Sequence, residues 1–493
     1  MSDVKQSAYP NRFVRSSLIY ALGDLLTKGA RIVLIPYYMA SLTKDEIGLW
    51  AVLQVAVLAT WTLLAFGFGA AIQRFYHQYE KQGDAYVASL WWSRMVLSLL
   101  PAAAIGVIGY VYAIRYSESM TVPLILMAVG AGYFRASLNL TEQWFIIQEK
   151  PASYRTFTFL QFLTTTLLNI LFISGFGWGV TGAIGAELLS CMTWCVISAG
   201  LIARSARPVK GLIRWKEVLS YCLPALPHAF FMWGMSGVDR LLLDGRVSAA
   251  QIGEYHIGYL LASVVSIVAL AMRSAWLPSF FRDSNTVTQR AQFGKTATLF
   301  FYLIIFCTLG GFLFADEIVA LFAFFSTKKF GLAADVLRIV VVGNAGLAIF
   351  IGLNQPLFYE RRIGLLAAVS GTGLGVNLLM NVLLIPSFGV FGAAWATLVT
   401  YLVIAGAILV TVANLYGIRW ELAKLLLFVV AAVGAGLLAW LIPAESSWFA
   451  WTAKSVLMMG FLLVTLFKIV PADSGWRLSL RVDGFRPQNV ELS

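Results

Sequence analysis

The segment SSLIYALGDLLTKGARIVLIPYYMASL, residues 16–42, is long and apolar enough to cross a bilayer, yet Asp24, Lys28 and Arg31 lie near its middle. Spacings of four and three residues put all three side chains on one helix face. A charge at the bilayer centre costs about 2.5 to 3.5 kcal/mol on insertion scales, so that face cannot point at lipid. It requires a water-filled or protein-lined cavity built with other helices.

The remaining chain has the composition to supply them. Of 493 residues, 59% are hydrophobic and only 12% charged, and the mean hydropathy is +0.79, far outside the range of a soluble domain. Apolar runs of roughly 20 residues separated by short polar connectors predict an all-α polytopic membrane protein with fourteen spans. The first is expected to be a retained span, since it is too long for a secretory h-region and no small-residue cleavage site follows. Cys191, Cys195, Cys222 and Cys307 all lie in apolar segments, where they act as small hydrophobes. No disulfide framework follows, and no metal site is expected, because Cys191 and Cys195 have no His or acidic ligand nearby in sequence.

Charge sets the expected orientation. With the N terminus inside, twenty-three Lys and Arg outside the spans fall on the cytoplasmic side. Only Lys44, Arg115, Arg246, Lys328 and Lys329 fall outside. Both termini are therefore expected in the cytoplasm. The net charge of +12 then reflects topology beside an anionic leaflet, with no nucleic-acid partner.

The chain also repeats. The stretch NILFISGFGWGVTGAIGAELLS from Asn169 matches NVLLIPSFGVFGAAWATLVT from Asn381 once two residues are gapped, and a weaker echo pairs Ile47–Trp50 with Ile252–Tyr255. Six spans per copy imply two parallel six-helix lobes related by an axis along the membrane normal. The expected organisation is a tail over 1–15, an N-lobe over 16–203 and a basic connector over 204–217. A C-lobe over 218–413, an added helix pair over 421–469 and a tail over 470–493 follow.

Further charges lie inside the spans. Arg135 is mid-span and shares a face with Asn139 and Glu142, which reads as cavity lining or as a buried ion pair. For Arg94 and Arg273, nearer the cytoplasmic side, snorkelling and cavity lining are both open, and Arg273 joins the cavity candidates. Arg338 and Lys454, near outer span ends, read as snorkelling. Arg74 closes the second span and is either a topology charge or a cavity cation. The intramembrane acids are Asp24, Glu142, Glu187 and Asp239. Asp24 can pair with Lys28 and Asp239 with a neighbouring arginine. The competing reading makes Asp24, Glu142 or Asp239 a proton or sodium coupling site. In span 7, Pro224 and Pro227 disturb the helix, and His228 reads as a satisfied core residue. Asn377 and Asn381, one turn apart, either glue helices together or bind sugar hydroxyls.

Several enzyme signatures are missing. Lys295 follows Gly294, but Gln289 occupies the first glycine position of a Walker A motif, and no HExxH or GxSxG occurs. With no long extramembrane segment, the chain is not expected to be an enzyme.

Four stretches carry a family resemblance. They are NRFVRSSLIYALGDLLTKGARIVLIPYYMASLTKDEIGLWAVLQ from Asn11, AAIQRFY ending span 2, the double-proline span 7 closing in DRLLL from Asp239, and SFGVFGAAWATLVTY from Ser387. Over roughly residues 12–415 the chain resembles the polysaccharide flippases of the MOP superfamily. The resemblance implies two lobes arranged as a V in the cytoplasmic membrane. It implies alternating access that moves an undecaprenyl-pyrophosphate-linked oligosaccharide outward for surface polysaccharide or O-antigen biosynthesis. It also implies a cationic lumen, matching Arg31, Arg74 and Arg135, and polymerase or assembly proteins as partners; Lys28, one turn before Arg31, is expected to help hold the pyrophosphate. Fourteen spans also occur in lipid II flippases, so that substrate stays open. A drug/cation antiporter of the superfamily and a membrane polysaccharide polymerase are the competing classes. An acid-rich lumen would favour the first, and a large outer loop the second.

Overall fold

The computed structural model describes residues 34–117, 120–266, 269, 287–360, 362–418, 420–442 and 448–469. Among these there are helices and connecting turns, and no strand. The N-lobe comprises α1 (34–41), α2 (Lys44–Leu64), α3 (Phe68–Phe75), α4 (Gly83–Leu97), α5 (Leu99–Tyr116), α6 (Val122–Ile147), α7 (Pro151–Asn169) and α8 (Gly179–Ser205). The C-lobe comprises α9 (Trp215–Cys222), α10 (Leu226–Leu243), α11 (Ala249–Ala262), α12 (Val287–Leu313), α13 (Ala315–Phe322), α14 (Gly331–Leu353) and α15 (Ile363–Tyr416). Helices α16 (Leu422–Ala439) and α17 (Trp448–Ile469) complete the described chain. Nine of these segments are long and apolar enough to cross a bilayer, and α12 with α13 make a bent tenth.

Helix α15 is 54 residues long, more than twice what a bilayer needs, and it is a hairpin. Gly389 has φ 53° and ψ −129°, a conformation no other residue adopts without strain. Across the fold-back, Asn377 Nδ2 donates to Thr400 Oγ1 at 3.2 Å, although the two are 23 residues apart. The N-lobe builds the same turn. Gly177 has φ 70°, and Thr165 and Ser190 hydroxyls meet at 2.7 Å. A Cβ on Gly182 would touch the Phe172 backbone at 3.1 Å, and one on Gly392 would meet Leu384 O at 2.4 Å. Each of these pairs is related by the gapped alignment of the two copies, so the sequence repeat is a structural repeat.

The lobes join about an approximate two-fold. Thr43 and Ser248 start α2 and α11 with matching capping boxes through Glu46 and Gln251, a motif that stabilises a helix start by about 0.5 to 2 kcal/mol. A Cβ on Gly48 would lie 1.9 Å from Ala249 O, and one on Gly253 would lie 2.3 Å from Lys44 O. Lys44 and Gly48 of the first copy correspond to Ala249 and Gly253 of the second, so the contact is reciprocal. Small residues here let two backbones touch, which is how apolar helices associate when lipid competes equally for their side chains.

Two spans are broken where the sequence predicts continuous helix or disturbance. Phe66 and Gly67, with φ 48° and 69°, interrupt the second span between α2 and α3. Pro224 and Pro227 interrupt the seventh through a 3₁₀ turn, Leu223–Ala225. The breaks face each other, with Cys222 Sγ 3.4 Å from Gly67 O.

Candidate functional site

Gly132 on α6 brings that helix onto α2, since a Cβ there would lie 2.6 Å from Val57 O. One turn on, the Arg135 guanidinium lies over the Trp61 ring of α2 at 4.7 Å from its centroid. From α8, where Ile184 packs against Leu53 and Val57, Glu187 Oε1 stands 3.2 Å from Arg135 Nη1. The other oxygen, Oε2, accepts from Gln54 Nε2 at 2.6 Å. The pair keeps partial access, with side-chain exposures of 20% and 15%. Arg135 is thus paired with Glu187 and keeps partial exposure. A cation over an indole gains about 0.5 to 2 kcal/mol, which holds the guanidinium in place without neutralising it.

Glu142 lies two turns further along α6 and is partnered. Next to it Gln143 accepts from Gln73 Nε2 at 2.5 Å, joining α6 to α3. Arg74 is exposed at the end of α3. At 1.5 Å per residue, Arg135 and Gln143 are about 12 Å apart along α6, so Arg74 and Arg135 belong to different depths. Asp24, Lys28, Arg31 and Arg273 lie outside the described residues.

Arg94 departs from both sequence readings, being neither snorkelled nor lining a cavity. It is fully buried and grips carbonyls: Nε donates to Leu64 O at 3.2 Å and Nη2 to Tyr133 O at 2.6 Å, while Nη1 bonds Ser137 Oγ. Phe68 N bonds Ala65 O, so the break after α2 leaves Leu64 O without its helical donor, and Arg94 takes its place. Lys454 is a second correction. It does not snorkel but is buried, with Nζ 2.6 Å from Glu317 Oε1, and so pins α17 to α13. Arg338 pairs with Asp335 at 2.7 Å and with Asp316.

In the C-lobe, Asp239 and Arg240 are buried together, 3.1 Å apart, and Tyr255 donates to Asp239 Oδ2. Arg240 lies over Tyr259, whose hydroxyl meets that of Tyr401 at 2.8 Å. Asn377 and Asn381 are fully buried inside the α15 hairpin. Asn381 Nδ2 donates to Asn377 O at 2.8 Å, so these amides sit where helix glue sits. His228 is satisfied by Ser370 at 3.0 Å, as read from sequence.

Residues 13–283, more than half of the chain, match the family described as "Polysaccharide biosynthesis protein". The chain belongs to that family. This polysaccharide biosynthesis protein is 25% identical to the "Lsg locus putative protein 1" of Haemophilus influenzae over 59% of its own length and 71% of the relative's. It is 21% identical to the "Probable low-salt glycan biosynthesis flippase Agl15" of Haloferax volcanii over 79% of its own length and 81% of the other's. Its fold matches "Lipid II flippase MurJ, inward closed conformation" with a TM-score of 0.71 at 12% identity, covering 94% of this chain and all of that one. It matches an inward-facing multidrug resistance MATE family transporter of the MOP superfamily at 0.58 and 15% identity, covering 81% and 98%. The family is thus that of polysaccharide biosynthesis proteins, and the fold is the one shared with this lipid II flippase and this MATE transporter.

Sequence reasoning missed two features of this family member. The Gln54 and Trp61 pair on α2 carries an i, i+7 spacing that places both on one face, a signal available before the structure. The other is a polar join at the Lys44 end of the lobes. Lys44 Nζ meets Glu254 Oε1 at 2.6 Å, and Lys328 Nζ binds Leu42 O at 2.6 Å and Ala40 O at 3.0 Å.

Proposed function

We propose that this protein flips an oligosaccharide linked to undecaprenyl pyrophosphate from the cytoplasmic to the outer leaflet by alternating access of its two lobes. Both termini face the cytoplasm in this reading. Arg135 supports it most strongly: an accessible guanidinium, fixed over Trp61 in a mid-span position, is what a diphosphate needs when it loses water. The headgroup carries about two to three negative charges, and a planar fork can hold its oxygens in pairs. Lys28, Arg31 and Arg273 are further cations for the same anion, and Arg74, at a different depth from Arg135, would meet it at another point of its path. Asn377 and Asn381 shape the C-lobe wall through the hairpin they lock. Asp24, Glu142 and Asp239 are the carboxylates for proton or sodium coupling, with no other cofactor needed. Polymerase or assembly proteins would take the flipped product. The test is deletion: lipid-linked repeat units should build up on the cytoplasmic leaflet while their assembly continues. Loss of glycosyl transfer or of polymerisation in a purified system would overturn the reading.

A further inference from the structure

The Arg135 site already holds an anion of its own. We infer that Glu187 is a resident counter-anion that the substrate phosphate displaces from Arg135 and that later helps to expel it, which makes Glu187 a release residue. This rests on the reading of Arg135 as a phosphate-holding cation.

The geometry has the asymmetry such an exchange needs. Arg135 meets Glu187 through a single contact at 3.2 Å, not the paired fork a guanidinium can make with a carboxylate. Glu187 is held more tightly on its other oxygen, where Gln54 donates at 2.6 Å. Breaking the Arg135 contact therefore leaves Glu187 tethered to α2 and close at hand. Arg135 stays tethered too, by the Trp61 ring at 4.7 Å. An incoming diphosphate offers more charge and more oxygens than the carboxylate, so it wins the guanidinium at a cost set by the pair it breaks. When the site reopens, the waiting carboxylate competes for Arg135 again and weakens the hold on product. The facing groups are Gln54 and Trp61 from α2, Arg135 from α6 with Glu142 two turns away, and Glu187 from α8. No other charged side chain among the described residues pairs with Arg135.

The experiment measures binding of undecaprenyl pyrophosphate to the full chain in nanodiscs, together with flipping rate, for wild type, Glu187→Gln, Glu187→Asp and Arg135→Gln. Removing the competitor should tighten binding by about tenfold in Glu187→Gln while slowing turnover. Glu187→Asp, which keeps the charge but shortens its reach, should fall between Glu187→Gln and wild type. A structural pair gives the opposite sign: an orphaned Arg135, lower membrane abundance and no gain in affinity. If wild type binds and Arg135→Gln weakens binding, but neither Glu187 variant binds more tightly, the flippase reading stands and the role given to Glu187 is wrong. That role is equally wrong if neither Glu187 variant accumulates in the membrane. If wild type itself does not bind the probe, the reading of Arg135 falls and takes this inference with it.

Discussion

Lys44 Nζ stands 2.6 Å from Glu254 Oε1, joining the first turn of α2 in one lobe to α11 in the other, and Glu254 Oε2 accepts from Leu332 N at 2.9 Å. Glu254 is thus the point where three helices of both lobes meet at one membrane face. Replacing Lys44 by Met should lower thermal stability by about 1 to 3 kcal/mol, less than the 3 to 5 of a fully buried pair because Lys44 is partly exposed. Glu254→Gln keeps the Leu332 bond and should cost less. Melting curves of the purified variants check the order, and an equal or larger loss for Glu254→Gln contradicts it.

At the reciprocal crossing, backbone contact leaves no room for a side chain. Gly48→Leu and Gly253→Leu should each abolish stable accumulation, because a Cβ would lie 1.9 Å from Ala249 O or 2.3 Å from Lys44 O. Gly106→Ala, where nothing lies within 4 Å, should be tolerated. Membrane abundance of the three variants decides it.

How much of this was legible beforehand differs by element. The repeat from Asn169 and Asn381 implied two copies of one lobe, and the structure places the positive-φ glycines and the close-approach glycines of both hairpins at its aligned positions. Arg94 could not be assigned. One of its partners, Leu64 O, is a backbone carbonyl freed by a break at Phe66 and Gly67, and nothing in a hydropathy pattern marks that break. Lys454 misled for a related reason: its partner Glu317 is 137 residues away, and only the docking of α17 brings them together. For Arg135 the face was readable but the occupant Glu187 was not, since pairing depends on how α6 and α8 meet.

Arg94 and Arg135 should separate under mutation. Arg94→Gln strips the donor from Leu64 O and leaves that buried carbonyl unsatisfied, at a cost of about 1 to 3 kcal/mol, and it also removes the bond to Tyr133 O. Abundance should fall while the flipping rate per folded molecule is kept. Quantitative blotting beside a transport assay distinguishes this from a lumen role, which would reverse the pattern.

The Lys454 and Glu317 pair predicts a thermodynamic cycle. Lys454→Met alone strands a buried carboxylate and should destabilise by about 3 to 5 kcal/mol, whereas the double change to Lys454→Met and Glu317→Met should recover most of that loss. Single and double variants that melt alike would show that α17 is not held by this pair.

The central claim, that Arg135 holds a lipid diphosphate during flipping, is tested most directly in proteoliposomes loaded with a polyprenyl-pyrophosphate-linked oligosaccharide. Transbilayer movement is followed by the access of an external probe to the sugar. Wild type should move the lipid, Arg135→Lys should keep part of the rate by retaining charge without the planar fork, and folded Arg135→Ala should lose it. Full flipping by a stably folded Arg135→Ala protein would contradict the account.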